Sequence, residues 1–525
     1  MKIMKAGFAA LLIGVSLVSC NPVVVGEQIP GLLASDIKVT PNPYDVAPLT
    51  AEVTFQTKVP TQVAIEVLGE EPVTHTFKGR STEHRLPILG LYPGTKNRVI
   101  IRMTSARGEV DEDTFTVKTE PLPKFFPDIN TTVTDKSKME NGWNFSQYSV
   151  NPSGLPVDTD VDAGRALRGL PFMFDANGDV RYYLDLAFLD GLAYEVLRLQ
   201  NGNWVFGHDR TIYEYDILGQ EINRWAIPGY LTHHEITEKP NGNLLAAVHK
   251  IGTKNKDGGG TNGDHIIELD RASGKIEGEW DMRQVLDVYR RSLVDDSFDW
   301  FHINAIWYSA ADDTLIVSGR NQGVVKVTKD NKLVWILAPH QGWGKAGIDA
   351  DKYSTANYLL TAVDAQGTPY PESVQQGAES ASDFDWTWGQ HAPMLLPNGH
   401  LFVFDNGFRR HFITNGPTSY SRGAEYAIDE TAMTVQQVWE YGKERGNEYF
   451  SPIISDVDYL PTTGNRLIMP GIARVGDTPG AYVTEVSYPE GKVVFDAAIG
   501  FKGFFKTEKF FGEIIYRSER LPLYP

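Results

Sequence analysis

The chain has almost no cysteine: Cys20 is the only one in 525 residues. An internal disulfide is therefore excluded, and so is a thiol nucleophile in any part of the protein beyond its first twenty residues. Positive charge is the second scarcity. Lysine and arginine number 49 against 67 aspartates and glutamates, a formal net charge of −18. Such a balance argues against nucleic acid as a partner and gives no hint of attraction to an anionic membrane. An anionic ligand would need cationic or hydrogen-bonding groups gathered locally. After the N-terminus no apolar run reaches membrane-spanning length. A glycine-rich loop ending in Lys-Ser or Lys-Thr is also missing, which removes P-loop nucleotide chemistry.

What the chain does contain is 49 glycines, 30 prolines and 11% aromatic residues, a composition that suits many short strands joined by turns better than long helices. Lys2 and Lys5 precede an apolar run from Ala6 to Val18, too short for a membrane span. The run ends Leu17-Val18-Ser19-Cys20, which resembles a bacterial lipobox. Residues 1–20 are accordingly expected to be a lipoprotein-type signal peptide, with Cys20 lipidated. The mature protein is expected in the periplasm, touching a bacterial membrane only through that anchor. Residues 21–34 follow as a tether.

Residues 35–120 alternate in short apolar segments such as 51–55, 61–67, 98–103 and 113–117, which predicts a small immunoglobulin- or fibronectin-like β-sandwich. Pro121, Pro123 and Pro127 mark the passage to the remainder, 121–525. There one unit recurs. Its first half is a hairpin about an Asn-Gly type turn, at Asn201-Gly202, Asn241-Gly242, Asn398-Gly399, Thr463-Gly464 and, more weakly, Asn177-Gly178. Its second half is a hairpin with acidic residues near the turn, as in 212–216, 266–270 and 426–430. Two hairpins make a four-stranded blade, and six copies predict an all-β chain dominated by a six-bladed β-propeller. The stretches 252–300 and 342–386 are expected as long loops walling a site.

The repeat also puts histidines in register. His391 lies six residues before Pro397, and His234 lies six before Pro240. His302 heads the matching strand of the blade between them. With Ala311 as turn centre, His302 lies nine residues before it and Arg320 nine after, so a hairpin sets them side by side. Asn304 follows on the same strand. Inner strands of a propeller converge on its axis, which brings these residues together. His233 is an alternative to its neighbour. The same count gives Ser455 and Tyr194 as weaker candidates, and Trp388 as a candidate to stack on an aromatic ligand. Three histidines suit zinc with an open position for water. The adjacent arginine argues against a metal and for a neutral imidazole nucleophile with an oxyanion held beside it.

The runs Gln390-His391-Ala392-Pro393 before Leu396-Pro397-Asn398-Gly399, Phe301-His302-Ile303-Asn304, and Ser318-Gly319-Arg320 resemble the arylsulfate sulfotransferase family of bacteria. The likeness runs to Tyr516-Arg517-Ser518-Glu519-Arg520. It implies a six-bladed propeller behind a small β-sandwich, and transfer of a sulfuryl group from a phenolic sulfate ester to a phenol with no nucleotide donor and no cofactor or metal. It implies a sulfohistidine at His391, with His234, His302, Asn304 and Arg320 holding sulfate oxygens or moving the phenol proton. Partners would be small molecules, an aryl sulfate and a phenol; a homodimer is compatible with this. Some relatives carry a disulfide near the nucleophile, which this chain lacks. Two other readings stand beside it: a metal-dependent propeller lyase or hydrolase with His234, His302 and His391 as ligands, and a non-catalytic propeller that displays binding loops.

Overall fold

The structure is a computed structural model that describes residues 31–151, 167–189, 191–255, 258–414, 420–503 and 513–525. The signal segment with Cys20 lies outside the described residues.

Strands Lys38–Pro41, Ala51–Val67, Val73–Thr76, Ser81–Ile88, Lys96–Ser105 and Val110–Lys118 form the first unit. The two segments expected at 51–55 and 61–67 are one strand of 17 residues. Odd-numbered side chains are buried on both sides of an exposed break at Lys58-Val59-Pro60, where proline removes no ladder hydrogen bond. The half before the break pairs with Lys38–Pro41 and Ser81–Ile88, and the half after it with Val73–Thr76 and Lys96–Ser105. The bent sheet thus closes over one core containing Val53, Phe55, Ile65, Val99 and Ile101. That core continues into the next unit through Tyr182, Trp204 and Phe206. Arg181 seals the junction. Fully buried, it donates to the Gly90 and Glu71 carbonyls and to Asp175, and lies 3.5 Å from the Tyr92 ring centroid.

Six antiparallel sheets follow as the blades of a propeller. The inner strands of blades 2 to 6 are Tyr194–Arg198, Tyr230–Glu238, Ile303–Ser309, His391–Leu395 and Asp456–Tyr459. Blade 1 takes its inner strand, Glu513–Leu521, from the C-terminus, against Trp143–Val150. Blade 6 takes its outermost strand, Asp128–Val133, from the N-terminal side. The strand that follows the first unit and the last strand of the chain therefore close the ring. The recurring turn is a three-residue hairpin loop with glycine in the left-handed region. At Leu396-Pro397-Asn398-Gly399, the Gly399 N–H donates to the Leu396 carbonyl at 2.9 Å with φ +83° at Gly399. Gly202 and Gly242 repeat this with φ +86° and +88°.

The expected loop 252–300 is not one loop. Alternating residues in His265–Asp270 and Lys275–Asp281 make the outer hairpin of blade 3, so only the stretches on either side of it are loop. The second of these carries Asp299 and His302 to the axis. The stretch 342–386 holds a 3-10 turn, Thr355–Tyr358, a short helix, Glu372–Gln375, and the two-residue strand Thr361–Ala362 beside blade 5.

Each site-bearing inner strand is bulged. The ladder slips between Tyr194 and Leu197, Thr232 and Ile236, Ile303 and Ala305, His391 and Met394, and Ile515 and Ser518. Glu195, His234, His302 and Ala392 take positive φ there, from 34° to 61°. Such bulges turn side chains off the pleat, and non-glycine residues at positive φ mark positions held by their surroundings for function.

Candidate active site

His302 and Arg320 do stand side by side: the Arg320 N–H donates to the His302 carbonyl at 3.0 Å. His234 and His302 meet edge to edge, Nε2 to Nε2, at 2.9 Å. Asp299 accepts from His302 Nδ1 at 2.7 Å, so that nitrogen carries a proton. On the far side the Tyr516 hydroxyl lies 2.7 Å from His234 Nδ1, with its ring stacked on the imidazole. The result is a hydrogen-bonded chain, Tyr516–His234–His302–Asp299. Burial alone would raise the Asp299 carboxyl, but the neighbouring His302 outweighs it and holds Asp299 below the usual carboxylate range.

His391 is buried and fixed by partners that can only accept. Its Nδ1 is 3.1 Å from the Gly389 carbonyl and 2.7 Å from Asn406 Oδ1. The Asn406 amide cannot flip, because its Nδ2 donates to the Ser451 and Ile454 carbonyls, each at 2.8 Å. Nδ1 therefore bears the hydrogen, and Nε2 presents its lone pair with no hydrogen-bond partner among the described residues. Burial, aided by the positive charge of Arg320 and opposed by the Asn406 bond, keeps His391 well below its ordinary pKa. Burial and the other imidazoles do the same to His234. Both rings are neutral at pH 7.

Arg320 supplies the charge. Its buried Nε has no hydrogen-bond partner among the described residues, and its two other nitrogens make only long contacts, 3.3 Å to Asn321 Oδ1 and 3.5 Å to the Pro452 carbonyl. The guanidinium lies 4.6 Å from the Phe408 ring centroid, with Arg409 5.2 Å from the same centroid. Burial lowers Arg320 to about 10, so it remains a cation at neutral pH. A protein with net charge −18 thus gathers cation and under-used donors at this one place, which suits an anion whose oxygens complete them.

The other sequence-derived candidates fare differently. Asn304 is fully buried and donates to the Gln390 carbonyl at 2.8 Å, so it positions the strand that carries His391. Ser455 is not presented to the site; its hydroxyl binds Ser451 Oγ at 2.9 Å and accepts from the Gly471 N–H. Trp388 is not a stacking surface either. It is 1% exposed and packs under Phe412 while donating to Asp385. Trp300, Phe301 and Trp386 are likewise core. His233 is buried beside His234 and His302, with ring centroids at 4.2 and 5.0 Å. The side chain of Tyr194 lies outside the described residues. For a metal, the structure regroups the histidines: His233, His234 and His302 have ligand nitrogens within 4.8 Å of one another, and His391 is not in the set.

Sequence reading missed Tyr516, Asp299, Asn406 and Arg517. Arg517 fills the axis below the bulges, paired with Glu195 at 3.0 Å and with Glu235. It lines a cavity of about 180 Å³ with Glu235, Asp456, Asp458 and Glu519. Burial raises Glu235 to about 7 against the pull of Arg517. The folded protein then keeps this proton between about pH 4.5 and 7 while the unfolded chain releases it, so this group's contribution to stability falls as pH rises through that window. Glu235→Gln is expected to melt progressively higher than wild type as pH rises from about 4.5 to 7, by on the order of 1–3 kcal/mol at the upper end. Parallel melting curves at every pH would show that Glu235 ionises normally.

Two family models match the chain. One described as arylsulfotransferase (ASST) covers residues 130–504, and one described as the arylsulfotransferase Ig-like domain covers 38–120. Arylsulfate sulfotransferase AssT of Escherichia coli O6:H1 is 32% identical over 83% of this chain and 87% of its own length. The protein of the same name from Lelliottia amnigena is 31% identical over 87% of this chain and 88% of its own.

Proposed function

Because the chain belongs to the arylsulfotransferase family, we propose that it moves a sulfuryl group from an aryl sulfate to a phenol in two steps through a sulfohistidine at His391. The observation that carries this reading is the fixed tautomer of His391, a neutral buried imidazole with its Nε2 lone pair free beside an under-coordinated arginine. In the first step Nε2 attacks sulfur, the sulfur–oxygen ester bond breaks, and its electron pair leaves with the phenolate. Arg320 gathers charge on the nonbridging oxygens. Nδ1 keeps its proton against Asn406 and Gly389 throughout, so the nitrogen–sulfur bond stays activated for the return step.

The phenolate needs a proton, and the hydrogen-bonded chain supports a supply. A proton carried on His302 Nε2 passes to His234 Nε2 while His234 Nδ1 gives one up through Tyr516, and Asp299 holds the His302 Nδ1 proton throughout. In the second step an acceptor phenol returns the proton along the same chain, and its oxygen takes the sulfuryl group from His391. The relay ends as it began. A donor such as p-nitrophenyl sulfate, without acceptor, is expected to release one equivalent of phenolate per enzyme and then stall; with a phenol added, kinetics should be ping-pong. Intersecting lines in initial-rate plots, with no burst, would argue for direct transfer.

The lipid anchor belongs to the same proposal, resting on Leu17-Val18-Ser19-Cys20. Cys20→Ala is expected to shift the protein from the membrane to the soluble periplasmic fraction, or to leave the signal uncleaved. Unchanged membrane association would remove the lipoprotein assignment.

A further inference from the structure

We propose that His233, His234 and His302 form a binding site for a divalent cation of the zinc class, and that its occupation blocks the acceptor half of the reaction. The inference rests on the reading of His234 and His302 as proton carriers given above. Among the described residues this is the only group of three potential ligands whose donor atoms all lie within 4.8 Å of one another. Zinc holds imidazole nitrogens at about 2.0–2.1 Å, which places tetrahedral ligand atoms roughly 3.3 Å apart. His234 Nε2 and His302 Nε2, now at 2.9 Å, need to open by only a few tenths of an ångström. Two of the three rings are held in place. His302 is held from behind by Asp299, and His234 by the Tyr516 hydroxyl, the outer-shell partners that orient metal-binding imidazoles. His234 and His302 also take positive φ, so the backbone that points them inward is fixed.

The chemistry decides what such an ion does. It would take the two Nε2 lone pairs between which the relay passes its proton, and would break the His234–His302 hydrogen bond. His391 stands outside the triad, so its Nε2 stays available to attack sulfur. An ion here therefore stops proton transfer and leaves the nucleophile in place. A donor whose phenolate leaves without protonation should still load His391. Transfer onward to a weakly acidic phenol, which needs a base, should fail.

Cobalt(II) is the probe, since tetrahedral nitrogen coordination gives it a visible absorption band that does not depend on activity. Chelator-treated full-length protein is expected to bind one equivalent of Co²⁺ with that band, to lose the band on adding Zn²⁺, and to lose the site in His233→Ala. With the ion bound, the p-nitrophenolate burst should remain near one equivalent while steady-state transfer to phenol falls by roughly tenfold or more. No band, or a band that survives in His233→Ala, overturns the site. Activity that vanishes with chelator and returns with Zn²⁺ overturns the inhibitory role. A missing burst in the metal-free enzyme instead counts against the sulfohistidine, whatever the cobalt spectrum shows.

Discussion

His391→Asn is expected to release no burst of phenolate, to carry no sulfuryl adduct, and to turn over at least about a thousandfold more slowly than wild type. Asparagine is the informative replacement because it keeps a polar donor able to meet Asn406 Oδ1 and the Gly389 carbonyl, the two groups that hold His391 Nδ1. What it removes is the ring nitrogen with a lone pair. The smaller side chain leaves some space in a buried position, a loss of about 1–2 kcal/mol that a protein of this size should tolerate. Circular dichroism and melting temperature should therefore stay near wild type while the chemistry stops. Mass spectrometry of the wild type, quenched after a burst, should place the added sulfuryl group on the peptide containing residue 391. An adduct on a different residue, or a burst retained in the variant, would move the nucleophile elsewhere.

The sequence made the blades legible because their inner hairpins repeat one turn. Leu396-Pro397-Asn398-Gly399 and its copies fix where each inner strand ends, so counting back from the turn finds His234 and His391, and counting across it pairs His302 with Arg320. The returning strands hold an unread clue. Asn321 and Asn406 each follow closely on a returning strand, Thr314–Gly319 and Leu401–Asp405. Both asparagines donate to main-chain carbonyls of a neighbouring loop. Tyr516 and Arg517 were out of reach of this method. Their strand is supplied by the C-terminus and has no hairpin turn joining it to the neighbouring strand of its blade, so no count reaches them. Asp299 sits in a loop with no period. The bulges were hidden as well, since one or two extra residues in a strand leave no mark in an apolar pattern. Ser455 and Trp388, placed by count or proximity, lie just ahead of the inner strands Asp456–Tyr459 and His391–Leu395 and turn into the core.

Arg320→Lys is expected to lower the rate of the burst by a hundredfold or so while the adduct still forms on His391. Removing one donor aimed at developing charge costs about 10²–10³ in rate, and lysine removes geometry while keeping charge. The guanidinium lies against the Phe408 ring, with its Nε buried and without a hydrogen-bond partner among the described residues, and its two other nitrogens on long contacts. A planar fork held this way can meet two oxygens of one sulfuryl group together. An ammonium is a single, strongly hydrated point on a flexible stem, and burial would draw its pKa down further than that of the guanidinium. Two readouts separate this role from support of the fold. If Arg320 only braces the Pro452 loop and Asn321, the variant should melt lower and burst at the wild-type rate. If it holds the sulfuryl oxygens, melting should change little, the burst should slow, and inorganic sulfate should lose its competition with the donor. Wild-type burst kinetics with wild-type stability would take Arg320 out of the site, and the charge near His391 would then fall to Arg517, which already faces Glu195 and Glu235. A cation so paired has little left to offer a substrate, which is why the under-used donors of Arg320 are the ones that the anion is expected to complete.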